Sequence, residues 1–66
     1  MADTYVTIIA AEHNLTQKQV KNTIQLLDEG ATIPFISRYR KERTDSLDEV
    51  QITAISEQLN KLREID

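Results

Sequence analysis

From Leu47 to the end of the chain, apolar residues recur at helical spacing over an arc too wide for an ordinary surface helix. At about 100° per residue, Val50, Ala54, Leu47, Ile65, Leu62, Ile55, Leu59 and Ile52 cover about 200°, whereas a surface helix shows a stripe of about 100°. Three short helices cover one side of such a rod. No Gly, Asn or Pro closes the pattern before Asp66. The expectation is a single N-terminal helical module, residues 1–66, cut from a longer chain, with its last helix packed on structure beyond it. Ile52, Ile55, Leu59 and Leu62 also keep 3-4-3 spacing, so a frayed end and a homodimer through the helix 47–65 remain open.

The rest of the chain reads as helix too. It has one Gly, one Pro and no β-branched stretch alternating with period two. The fold class expected is all-α, a small bundle of about four helices. Asp3 is suited to cap a first helix running to about His13, with Asn14 as the left-handed residue after it. Thr16-Gln17-Lys18-Gln19 reads as a capping box, flanked by a Leu15/Val20 hydrophobic staple. The second helix stops at Gly30. A third starts behind Thr32, tolerates Pro34 in its first turn and runs to about Arg43. Ser46-Leu47-Asp48-Glu49 reads as a second capping box, opening the fourth helix.

Composition narrows the function classes. A chain of 66 residues with 39% hydrophobic residues is globular and small, and buries only about 60% of its unfolded surface, which leaves little scaffold to wall a pocket. It has no Cys and one His. Thiolate metal sites, zinc knuckles and CxxC redox chemistry are excluded, and no metal or cofactor is expected. Nothing resembles a membrane span or a secretory signal, so the cytoplasm is the default location. His13 ends the first helix, where a cation is favoured, and has no nucleophile beside it. Asp48-Glu49 and Asp28-Glu29 sit at helix ends, and adjacent helical positions diverge instead of converging on a metal. No enzyme activity and no small-molecule substrate are expected.

The net charge of −3 conceals a segregation. Residues 37–43 carry +3, between segments of −2 and −4. Such a basic island is the one polar feature that marks a binding surface. On a continuous third helix, Ile33, Phe35, Ile36 and Tyr39 form the buried face, and Arg40 and Arg43 fall within it. For these two, the expected role is structural: stems over the core, heads paired with Asp48 or Glu49 or with helix C-terminal carbonyls. Arg38 and Lys41 point away and are the candidates for nucleic-acid phosphate, joined by Lys18 and Lys21 if the second helix presents the same side. Tyr5, Phe35 and Tyr39 are expected in the core, not on a base-stacking surface.

Gly30-Ala31-Thr32 between two helices suggests a helix-turn-helix-like arrangement. In the DNA-reading version, polar residues open the second helix of the pair. Here that helix opens Ile33-Pro34-Phe35-Ile36, so any nucleic-acid contact is expected to be to backbone and not sequence-specific.

The segment Gly30-Ala31-Thr32-Ile33-Pro34-Phe35-Ile36-Ser37-Arg38-Tyr39-Arg40-Lys41-Glu42, followed by Thr44 and Ser46-Leu47-Asp48-Glu49-Val50-Gln51, resembles the N-terminal region of the Tex family of bacterial transcription accessory proteins. The likeness is strong from about Leu26 to Ile55, and eukaryotic elongation relatives share a similar core. The resemblance implies a long, mostly helical, cytoplasmic protein with an RNase H-like domain, a helix-hairpin-helix segment and an S1 domain that carries most RNA or DNA binding. Family members commonly have Gly where this chain has Asp45, a residue that tolerates the left-handed conformation. Two functions follow from the resemblance and the charge pattern. One is a module that associates with nucleic acid or the transcription machinery through non-specific phosphate contacts. The other is an architectural or protein-packing module with no nucleic-acid contact of its own.

Overall fold

The computed structural model describes residues 2–65, with side chains from 4 to 64. Five helices succeed one another: α1 Ala2–His13, α2 Gln17–Asp28, α3 Ile33–Tyr39, α4 Lys41–Thr44 and α5 Glu49–Ile65. Among the described residues there is no strand, so the fold is all-α. α1 already includes Asp3, which therefore does not precede the helix as its cap. The side chains of Asp3 and Ile65 lie outside the described ones.

Three turns are closed by one device. Asn14, Gly30 and Asp45 take positive φ after α1, α2 and α4. In each case the next amide reaches back to the last helical turn: Leu15 to Ala10 O at 2.9 Å, Ala31 to Leu26 O at 3.1 Å, Ser46 to Lys41 O at 2.9 Å. These are the long hydrogen bonds of Schellman motifs, which satisfy carbonyls that the helix leaves orphaned. Asp45, at φ 56° and ψ 46°, holds the left-handed position directly.

The third helix does not run to Arg43. It breaks at Arg40, with φ −127° and ψ 33°, and a single turn, α4, follows. No Gly or Pro causes the break. Packing against α2 does: Gln19 Nε2 donates to Thr44 O at 3.2 Å and Asn22 Nδ2 to Arg43 O at 2.8 Å, so two α2 side chains seize the carbonyls at the end of α4. The bend also buries Thr44 completely, where its hydroxyl accepts from Leu47 N at 3.3 Å.

The last helix also starts two residues later than expected. Its box is Asp48 with Gln51: Gln51 N donates to Asp48 Oδ1 at 2.8 Å, and Asp48 N to Gln51 Oε1 at 3.2 Å. The staple explains the choice. A cap at Asp48 puts Leu47 and Ile52 in the flanking apolar positions, and both are buried. A cap at Ser46 would have put Asp45 and Val50 there. Ser46 is instead left-handed, at φ 66°. The first box stands as expected, with Gln19 N on Thr16 Oγ1 and Thr16 N on Gln19 Oε1, both at 3.1 Å.

α2 is the hub, packed on α1, α3, α4 and α5, while α5 lies along α1, α2 and α3. The core joins Val6 and Ile9 of α1, Val20, Ile24 and Leu26 of α2, Ile36 of α3, and Leu47, Ile52, Ile55 and Leu59. Only part of the wide apolar arc is covered. Ile52, Ile55 and Leu59 are buried, but Val50 is 77% exposed. Beside it, Glu49, Thr53, Ala54 and Glu57 line an open groove.

Candidate functional site

The basic segment of residues 37–43 is carried around the Arg40 break, and that break sorts its cations. Arg38 in the last turn of α3 and Lys41 at the start of α4 are both exposed. Neither makes an ion pair or side-chain hydrogen bond among the described residues. They stand three positions apart across the bend.

Arg40 is committed elsewhere. Its guanidinium lies 4.9 Å from the centroid of the Phe35 ring, and Nη1 donates to Tyr39 O at 3.0 Å. Of the two pairings expected for Arg40, the carbonyl at a helix C-terminus is the one present. No ion pair joins Arg40 or Arg43 to Asp48 or Glu49 among the described residues, where the one ion pair is Arg63 with Asp28 at 3.1 Å. The displaced start of α5 accounts for this. Asp48 is occupied as its cap, and Glu49, exposed in its first turn, complements the helix dipole.

Lys18 and Lys21 are exposed on α2. Lys18 meets Arg43 at a cleft of about 250 Å³ that Thr16, Gln19, Glu42 and Asp45 also line. Two cations and two carboxylates balance there, so this cleft gives an anion no net attraction. The structure thus brings Lys18 and Arg43 to one charge-balanced cleft, and leaves Arg38 and Lys41, like Lys21 on α2, exposed and without an ion pair among the described residues.

Two aromatic residues expected in the core are on the surface. Phe35 is 38% exposed and Tyr39 61%, their rings 5.4 Å apart and tilted by 45°. α3 has only seven residues; it buries Ile36 fully and packs Ile33 half-buried against the core, while Phe35 and Tyr39 turn outward. Phe35 and Arg40 edge an open cleft of about 440 Å³ whose other walls are Leu26, Glu29, Gly30, Ala31 and Thr32. The i, i+4 spacing of Phe35 and Tyr39 signalled their contact. Their exposure had no signal, because it depends on a break set by Gln19 and Asn22.

Among the described residues, no three His, Cys, Asp or Glu side chains gather where a metal ion would bind. None of the described helices is long and apolar enough to cross a membrane.

Comparison with known proteins places the sequence among relatives. Residues 3–66 match the Tex-like protein N-terminal domain. The chain is 52% identical over 58 residues to the uncharacterized protein YdcI of Bacillus subtilis, covering 88% of this chain and 8% of that protein. It is 48% identical over 59 residues to the transcriptional accessory protein Tex of Neisseria gonorrhoeae, covering 89% of this chain and 8% of that one. With the S1 RNA-binding domain-containing protein 1 of Pongo abelii it shares 35% identity over 60 residues, 91% of this chain and 6% of the other. The chain thus spans less than a tenth of the length of these relatives.

Proposed function

The chain belongs to the family of Tex-like N-terminal domains, and from that premise we propose that it is the N-terminal helical module of a cytoplasmic transcription accessory factor, binding and not catalytic, that touches the nucleic-acid backbone through Arg38 and Lys41. The observation that carries this reading is that these two cations are exposed and without an ion pair among the described residues, three positions apart within the +3 segment of an otherwise acidic chain. Contacts of this kind position a protein on RNA or DNA without reading sequence. A relative named for RNA binding through an S1 domain, and another named a transcriptional accessory protein, agree with such a setting. Lys18 lines the charge-balanced cleft and contributes long-range attraction, while Lys21, exposed on α2, adds to the positive field. Mapping amide chemical shifts during titration with short RNA and duplex DNA tests the site. Arg38 and Lys41 and their neighbours shift first if the reading holds; no shift at low salt, or shifts elsewhere, refute it.

The second reading is architectural, and Val50 favours it. A valine left 77% exposed beside a groove is apolar surface of the sort that another part of a long chain, or a second copy, covers. A chain extended past Asp66 is then more stable than the 66 residues alone, or the latter self-associate. A monomer that gains nothing on extension rejects this reading.

A further inference from the structure

We propose that Phe35, Tyr39 and Arg40 form a stacking platform for unpaired nucleobases, so that the strand whose phosphates meet Arg38 and Lys41 is single. The proposal rests on the phosphate reading above and adds to it the class of ligand.

Two features of the platform support it. Phe35 and Tyr39 present ring surface to solvent beside the basic segment, although an apolar aromatic is ordinarily buried. The guanidinium of Arg40 lies over the Phe35 ring, 4.9 Å from its centroid, and donates to Tyr39 O, so a planar cation is fixed beside the exposed rings. Bases splayed from a single strand stack on aromatic rings and on Arg guanidinium planes alike. A duplex offers neither face, because its bases already stack on one another.

The adjoining cleft suits a base better than a phosphate. Its volume of about 440 Å³ lies within the range of small-ligand clefts, and Leu26, Ala31 and Phe35 give it apolar walls. Glu29 on its rim repels a phosphate but accepts hydrogen bonds from exocyclic amino groups. Phosphates are thus directed to Arg38 and Lys41, and bases to the cleft. A protein segment could also seek an aromatic surface, but the cations clustered beside this one favour a polyanion.

The test compares a short oligodeoxycytidylate with an abasic strand of equal length and charge, at low salt, on the 66-residue chain. Stacking predicts tighter binding of the intact strand by about tenfold or more. Tyr39→Ala, at a site 61% exposed and monitored for retained helicity, erases most of that preference, and Tyr39→Phe keeps it. Equal affinity for the two strands, with both lost in Arg38→Glu/Lys41→Glu, overturns the platform and leaves the phosphate reading standing. Tyr39→Ala unchanged in its preference also overturns it. No binding of either strand overturns both readings, as expected of a surface that docks protein.

Discussion

Arg40 sits with its guanidinium 4.9 Å from the centre of the Phe35 ring while donating to the carbonyl of Tyr39, so one side chain covers an aromatic face and closes the end of a helix. The arrangement needs the planar fork of arginine. A lysine supplies the charge but not the flat contact. Arg40→Lys is therefore expected to cost about 0.5–1 kcal/mol in urea unfolding, the size of a partly exposed cation–π contact.

Gln19 serves two elements at once. Its Oε1 accepts from Thr16 N and its Nε2 donates to Thr44 O. Gln19→Glu keeps the acceptor and removes the donor, whereas Gln19→Ala removes both. Urea unfolding should show Gln19→Ala less stable than wild type by about 1–2 kcal/mol, with Gln19→Glu in between. Equal losses would mean that only one of the two bonds matters.

The start of α5 discriminates between two caps. Asp48→Ala should lower stability by about 1 kcal/mol. Ser46→Gly should be neutral or stabilising, because Ser46 occupies a left-handed conformation that glycine adopts without strain. The reverse order would place the cap back at Ser46.

Neighbouring positions on α5 should respond very differently to truncation. Ile52 is fully buried and Val50 is 77% exposed. Ile52→Ala is expected to cost about 2–5 kcal/mol, enough to unfold a small domain, whereas Val50→Ala stays within about 0.5 kcal/mol. Thermal unfolding followed by circular dichroism separates these outcomes.

The helical class, the first capping box and the left-handed ends at Asn14 and Gly30 were legible in the sequence because each depends on residues a few positions apart. The Arg40 break was not. It is tied to Gln19 and Asn22, whose amides hold the carbonyls of Thr44 and Arg43, 25 and 21 residues further along the chain. The surface position of Phe35 and Tyr39 goes with the short α3 that the bend leaves, and the missing pairs of Arg40 and Arg43 with Asp48 and Glu49 go with the later start of α5. The capping box at Asp48 was visible in principle. Asp48-x-x-Gln51 has the same form as the motif at Ser46, and the Leu47/Ile52 staple decides between them. The segregation of charge, a property of composition along the chain, marks residues 37–43 without any knowledge of the bend, and a continuous helix singles out Arg38 and Lys41 within them as pointing away from its buried face.

The most direct test of the central claim is the salt dependence of single-stranded DNA binding by the wild-type chain and by Arg38→Glu/Lys41→Glu. Each phosphate contact on a single strand contributes a slope of about −0.7 to log affinity against log salt. Two contacts made by these residues predict that the double variant loses about 1.4 from the magnitude of the slope, along with affinity at low salt. An unchanged slope and affinity in the double variant, or no binding by the wild-type chain at low salt, would contradict the assignment of phosphate contact to Arg38 and Lys41.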